Sequence, residues 1–260
     1  MGEQTRRELL KSGGKAALGG AVAAVAATSP GLALAAEEPR KKWAKHWGML
    51  VDLRRCIGCQ ACTVACKAEN GVPLGVFRRR VRTVMTGTYP NATRHFVPIS
   101  CFHCEDPACL EACAKLDCYE GQGKSAISQT DDGYVVIDEK ICKPDKKPCL
   151  TGCPYHNIFY DPVKNKSDKC TFCEHRVKQG VAPACVQTCE GGALMFGDLK
   201  DPNSEVAKAI AASETKVLRP KKGTHPSFRY IGLTPEVQKF IEGEVSKGKR
   251  LRPTTLENDR

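Results

Sequence analysis

The sequence predicts an α+β chain in which short strands and short helices frame metal-binding loops. Three observations lead there. Sixteen cysteines stand in 260 residues, and all but Cys118 fall in four tight runs. Two strand-like stretches, Gly48–Asp52 and Val135–Asp138, lead into the first and third runs, each with an aspartate four residues before the first cysteine (Asp52 to Cys56, Asp138 to Cys142), an internal repeat. Between and after the runs stand a hairpin pattern and two helix patterns, the second of them capped.

The elements follow in order. Thr5-Arg6-Arg7-Glu8-Leu9-Leu10-Lys11 has the twin-arginine form, followed by a modestly apolar stretch from Ala16 to Ala27 and a small-residue site at Ala33-Leu34-Ala35. Residues 1–35 are therefore expected to be an export signal, leaving a soluble periplasmic chain. An uncleaved anchor is the alternative, but Ser29-Pro30 breaks a stretch rich in Ala and Gly. No other segment is long and apolar enough to span a bilayer. Residues 36–47 are charged and carry Trp43 and Trp47; residues 75–99 read as a hairpin around a Gly87–Asn91 turn. Arg78, Arg79, Arg80 and Arg82 on its first strand are expected to form a solvated face, with partner docking as the other reading. A helix at about Ser204–Ser213, a strand-rich stretch to Leu233, a helix capped by Thr234-Pro235-Glu236 and a frayed end complete the chain.

The runs carry the chemistry. They read Cys56-x2-Cys59-x2-Cys62-x3-Cys66, Cys101-x2-Cys104-x4-Cys109-x3-Cys113, Cys142-x6-Cys149-x3-Cys153-Pro154 and Cys170-x2-Cys173-x11-Cys185-x3-Cys189. The first is the bacterial ferredoxin spacing, in which three thiolates grip one iron–sulfur cubane and the fourth reaches another. Four runs imply two such bis-cluster modules. Gly58 suits a loop whose backbone must approach the inorganic core closely. The x3 step reads as the first turn of a helix carrying the last cysteine away. Zinc takes paired thiolates, but one ion has no use for so many close together. Disulfides fit a secreted chain, yet twin-arginine export carries folded proteins, so iron can occupy the thiolates first. With little apolar core per module, ligation should supply much of the folding free energy, and the apo chain should fold poorly.

The third run is one ligand short. Aligned on the repeat, Asp145 stands where the first run has Cys59. Cys118, the cysteine outside the runs, lies five residues after Cys113. Sulfur ligation by Cys118, oxygen ligation by Asp145 and a three-iron cluster all stay open.

A formal charge of +11 would suit nucleic acid, but the basic residues are dispersed and aromatics are only 6% of the chain, so acidic protein partners fit better. No Gly-rich phosphate loop, nucleophile elbow or paired acid–base constellation is present, which argues against an organic substrate site. His103, between two cysteines, reads as a donor to a cluster sulfur or as a packed ring. Pro107, Pro154 and Pro183 stiffen ligand loops or form ordinary turns, and His175 with Arg176 faces a partner, a cluster edge or solvent.

Met49–Ala68 (MLVDLRRCIGCQACTVACKA), the stretch Cys101-Phe-His-Cys-Glu-Asp-Pro-Ala-Cys109, and Asp168–Arg176 (DKCTFCEHR) with Pro183-Ala-Cys185 carry a resemblance over the whole mature chain. It resembles the four-cluster iron–sulfur subunits of molybdopterin oxidoreductase complexes, such as dimethyl sulfoxide, polysulfide and tetrathionate reductases. Gly197-Asp198, Lys200-Asp201-Pro202, Val217-Leu-Arg-Pro, Gly223-Thr224 and Tyr230-Ile-Gly-Leu233 look most like the tetrathionate type.

The resemblance implies two interleaved bis-[4Fe-4S] ferredoxin-like modules. The first module would comprise residues 36–100 with the hairpin insertion and residues 165–200, the second residues 101–164, with 201–260 as a C-terminal extension. It implies that Cys56, Cys59, Cys62 and Cys189 hold one cluster, and Cys66, Cys170, Cys173 and Cys185 a second. Cys101, Cys104, Cys109 and Cys153 would hold a third. Cys113, Cys142 and Cys149 would hold a fourth, either [4Fe-4S] or [3Fe-4S]. The implied partners are a molybdopterin catalytic subunit and a membrane quinol-oxidising anchor, with no nucleic acid and no bilayer span in the mature chain. The chain would be a non-catalytic electron relay, membrane-associated through its partner. Catalysis of its own at the third-run cluster and a zinc-bound structural role are the alternatives.

Overall fold

The computed structural model describes residues 43–115, 125–143 and 147–246, which belong to one compact unit. The twin-arginine segment, residues 36–42, Cys118, Asp145 and the last ten residues lie outside them. Among the described residues no helix is long and apolar enough to cross a membrane.

Strand β1 (Trp47–Asp52) is buried at every residue after Trp47. It feeds the first cysteine loop, which turns on Gln60 in the left-handed region (φ 63°) into helix α1 (Ala61–Asn70). That helix stops at Gly71, also left-handed (φ 56°), where a residue without Cβ ends a helix at least cost. Strands β2 (Arg79–Thr86) and β3 (Thr93–Ser100) form the expected antiparallel hairpin, in register from Arg79 opposite Ser100 to Thr86 opposite Thr93. Helix α2 (Ala108–Lys115) follows the second cysteine loop. Strands β4 (Ile127–Gln129) and β5 (Val135–Ile137) pair antiparallel ahead of the third run. Helix α3 (Pro148–Gly152) opens with a proline, whose missing N–H costs nothing in a first turn.

Strands β6 (Phe159–Asp161) and β7 (Lys166–Asp168) form a small hairpin, then come the one-turn helices α4 (Glu174–Val177) and α5 (Ala184–Gln187). Strand β8 (Leu194–Asp198) leads to helix α6 (Glu205–Ala211), where the Ser204 hydroxyl accepts from the Ala207 N–H at 3.2 Å. Strands β9 (Thr215–Lys216) and β10 (Phe228–Ile231) and helix α7 (Pro235–Ser246) end the described chain.

One four-stranded sheet runs β8–β1–β10–β9, with β1 antiparallel to β8 and parallel to β10. The segment set apart in the sequence as an extension thus places β10 beside β1. Phe228 and Tyr230 are wholly buried there, so this segment supplies core through its described residues.

The hairpin arginines correct the expectation of a solvated face. Arg78, Arg79, Arg80 and Arg82 are all buried. Arg78 donates from Nε and Nη2 to the two oxygens of Asp168 at 2.9 and 2.8 Å, and from Nη1 to Asn70 Oδ1 at 2.7 Å. Arg80 donates to Asn157 Oδ1 at 2.8 Å. The first half of β2 is covered on both faces, so its side chains cannot reach water on either side. The buried cations are held by a carboxylate, an amide and sulfur atoms.

Candidate iron–sulfur centres

The structure gathers cysteines that are far apart in sequence. Cys56, Gly58, Cys59 and Cys62 meet Cys189 around a cavity also lined by Val81 and Pro98 of the hairpin. Cys66 meets Cys170, Cys173 and Cys185 around a second cavity, with Met49, Arg79 and Phe172 in its wall. On helix α1, Cys62 therefore serves one cavity and Cys66, one turn later, the next. Cys185 and Cys189 make the reciprocal step.

The second and third runs converge in the same manner. Cys104 lies in the field of Cys101, Cys153 and Cys109, and Cys149 lies beside Cys142. Helices α2 and α3 carry Cys109, Cys113 and Cys149 and pack closely. A Cβ built on Gly152 would stand 2.4 Å from the Ala112 Cβ, so glycine is required for that approach. Fourteen of the run cysteines are free thiols; Cys113 is disulfide-bonded. Both candidates for the missing ligand, Cys118 and Asp145, lie outside the described residues.

The loops bend so that backbone N–H groups face sulfur. Gly58, His103 and Phe172 all have positive φ (72°, 44° and 55°), and each stands two residues after a cysteine. Their N–H groups meet Cys56, Cys101 and Cys170, the last at 3.4 Å. Tyr155 repeats the i+2 contact to Cys153, and the Ala193 N–H donates to Cys189 Sγ at 3.3 Å. Such donors favour a charged sulfur. At Gly58 a Cβ would also strike the Phe96 ring at 2.4 Å, so the glycine is fixed by the hairpin packed on the loop as well as by its φ.

Burial dominates the thiols. It pushes Cys185 up to about 12, with the nearby Arg79 guanidinium pulling the other way, and pushes Cys66 and Cys109 further up. Iron uptake by these residues would therefore release protons. Two buried cations lie among the sulfurs. Lys169 donates to the Val135 and Cys170 carbonyls and favours the thiolates of Cys101, Cys109 and Cys153. Arg79 is 1% exposed, and its Nε and Nη1 have no hydrogen-bond partner among the described residues.

These residues fit an iron–sulfur cluster. Among the described residues, no three Cys, His, Asp or Glu side chains converge where one metal ion would bind. The sulfurs instead surround shared cavities, with N–H donors and a buried cation that an anionic core would satisfy.

Residues 92–199 match the family model of a 4Fe-4S dicluster domain, and residues 47–68 that of a 4Fe-4S binding domain. The B subunit of the tetrathionate reductase of Salmonella typhimurium is 41% identical over 199 residues, covering 75% of this sequence and 74% of that protein. The polysulfide reductase B polypeptide of Wolinella succinogenes is 38% identical, covering 71% and 93%, and a putative dimethyl sulfoxide reductase iron–sulfur B subunit of Halobacterium salinarum is 34% identical, covering 82% and 86%. The protein belongs to the iron–sulfur B-subunit family of these reductases. As a member it contains ferredoxin-type 4Fe-4S domains of mixed helix and strand content.

Within this iron–sulfur subunit, the structure decides between the readings of several side chains. His103 is a packed ring, stacked on Phe172 with centroids 3.7 Å apart, its Nδ1 accepting from the Val135 N–H at 3.1 Å. Burial holds it neutral, with its pKa well below the usual histidine range. His175 and Arg176 clasp Glu69 at 2.7 and 2.8 Å, tying α4 to the end of α1. The Pro107 and Pro183 carbonyls accept the first bonds of α2 and α5. Arg79, Lys169 and Gly152 were missed as site residues. A signal existed for Lys169, which adjoins Cys170, and for Arg79, which sits in an arginine run next to apolar strand residues.

Proposed function

We propose that this iron–sulfur subunit is the electron relay of a molybdopterin reductase complex. It holds three [4Fe-4S] clusters and a fourth that is [4Fe-4S] or [3Fe-4S], between a membrane quinol-oxidising anchor and a molybdopterin catalytic subunit. The partner's substrate is a sulfur compound or oxyanion, with tetrathionate favoured by the 41% identity to a tetrathionate reductase subunit. The observation that carries the reading is the sorting of the cysteines into separate sulfur-lined cavities, linked pairwise by single helical turns. Cys56, Cys59, Cys62 and Cys189 are the proposed ligands of one cluster, and Cys66, Cys170, Cys173 and Cys185 of the next. Cys101, Cys104, Cys109 and Cys153 serve the third, and Cys142 and Cys149 the fourth, joined by Cys113 once its disulfide is reduced, with Cys118 or Asp145 as a candidate fourth ligand.

When bound, such clusters take up and release single electrons without moving heavy atoms. The chain's own residues do the rest. Buried thiols become thiolates as iron binds, and the N–H groups of Gly58, His103, Phe172, Tyr155 and Ala193 support charge on sulfur. Val81, Pro98 and Phe172 set apolar surface against the cavities. The Arg6-Arg7 signal supports export of the folded, loaded protein to the periplasm.

The test is anaerobic purification of the complex with its partners, counting iron and acid-labile sulfide per copy of this chain. Close to four clusters are expected. A preparation fully active with its physiological donor but holding one or two clusters per copy would overturn the relay.

A further inference from the structure

Arg79 is the least compensated charge among the described residues. It lies on β2 with 1% exposure, in the interior between the two cavities served by α1. Its Nη2 reaches the Met49 sulfur at 2.7 Å and the Ser100 hydroxyl at 3.3 Å, while Nε and Nη1 find no partner. Its guanidinium carbon lies 5.8 Å from the centre of the Phe228 ring. No carboxylate forms an ion pair with it among the described residues, whereas neighbouring Arg78 holds Asp168 at 2.8 Å.

Such a group should not persist in a protein interior on its own. Burying an unpaired cation costs several kcal/mol, and each unsatisfied donor adds more. The cost is offset only if something anionic lies against it. Arg79 forms part of the wall of the cavity of Cys66, Cys170, Cys173 and Cys185. Val81, two residues along the same face of β2, lines the other cavity, that of Cys56, Cys59, Cys62 and Cys189. One guanidinium thus stands in the wall of one site and one strand step from the other.

We propose that Arg79 is a shared positioning residue for the electronics of both clusters of this pair, a fixed positive charge that favours the one-electron-reduced state of each. The inference rests on the relay reading above. Reduction adds one electron, and so one negative charge, to a cavity whose wall already carries a cation. In a low-dielectric interior that attraction is large, and net charge and hydrogen bonding to sulfur are levers on cluster potential. The guanidinium stays protonated throughout, so the electron arrives without a proton from this side chain.

The experiment is an EPR-monitored titration of the intact complex, with dithionite as electron donor and mediators setting the potential, on wild type, Arg79→Met and Arg79→Lys. At a fixed potential, Arg79→Met should lower the reduced-to-oxidised ratio of two clusters by roughly tenfold or more, while the other two stay within about twofold. The loss should be equal at pH 6.5 and pH 8.5. Arg79→Lys, which keeps the charge, should restore most of the ratio. The inference fails if a fully loaded Arg79→Met protein reduces like wild type, if only one cluster shifts, or if Lys does no better than Met. Should Arg79→Met fail to load, loss of two clusters with the other two intact supports the shared role. Loss of all four marks Arg79 as a residue of folding and overturns it. A wild-type complex devoid of iron and sulfide would sink the relay itself, a separate outcome.

Discussion

Gly152→Ala tests the way the second pair of runs is assembled. The added Cβ would stand 2.4 Å from the Ala112 Cβ, whereas carbon atoms rest at about 3.5–4.0 Å. Helices α2 and α3 must therefore part by roughly 1 Å or more at this point, and overpacking of that kind costs about 1–3 kcal/mol. The helices carry Cys109, Cys113 and Cys149, with Cys153 directly after Gly152, so the strain falls on the clusters proposed for these runs. Ala112→Gly removes the obstructing methyl at a helix-propensity cost of about 1 kcal/mol. The double variant, Ala112→Gly with Gly152→Ala, should then return to within about 1 kcal/mol of wild type, although each change alone destabilises. The assay is anaerobic guanidinium denaturation followed by loss of visible cluster absorbance, with iron and sulfide counted on the native protein. Gly152→Ala should lose clusters from these runs while the clusters of Cys56–Cys66 and Cys170–Cys189 remain. The steric reasoning is refuted if Gly152→Ala is as stable and as fully loaded as wild type, or if Ala112→Gly does not rescue it.

Two further expectations follow from buried charge. Asp168→Asn leaves the Arg78 guanidinium, only 8% exposed, facing an amide in place of a carboxylate; breaking a buried pair costs about 3–5 kcal/mol. An unshifted denaturation midpoint would show that Asn70 and Thr171 hold Arg78 unaided. Burial lowers His46 from 6.5 to about 4, opposed in part by Asp198. Between these pH values the unfolded state takes up more protons than the folded one. Stability is therefore complete above about pH 6.5 and falls by up to about 3 kcal/mol as pH drops to 4. His46→Gln should flatten that slope, and since acid loss of iron is common to both proteins, an identical pH dependence in the two would discard the assignment.

What could be read from the sequence was local. The loop spacings, the Gly87–Asn91 turn, the helix from about Ser204 and the helix start at Thr234-Pro235-Glu236 each depend on residues a few positions apart, where sterics and hydrogen bonding decide. What could not be read was long-range. Gly152 is needed only because Ala112 lies across from it, and the placement of β10 beside β1 joins residues 228–231 to 49–52. The arginines of β2 were misjudged for a different reason. Placing charge at the surface assumes a neutral interior, and here the interior is filled with sulfur ligands whose loaded form is anionic. Four arginines in five positions cannot all face water from a strand that is covered on both sides, so alternation along the strand carried no signal.

The arrangement also explains why short helices recur after the cysteine loops. Cys62 to Cys66, Cys109 to Cys113, Cys149 to Cys153 and Cys185 to Cys189 each span four residues, one turn, or about 6 Å of axial rise. In α1 that turn sets Cys62 on one cavity and Cys66 on the next. Between the two pairs of runs the spacer is different. The His103 ring, between Cys101 and Cys104, stacks on Phe172, between Cys170 and Cys173, with centroids 3.7 Å apart and planes 23° from parallel. Both residues hold positive φ, which turns their N–H groups to sulfur and their rings toward each other. The same backbone conformation that completes each loop thus brings the two loops into contact, and the distance between pairs is fixed by rigid rings rather than by flexible side chains.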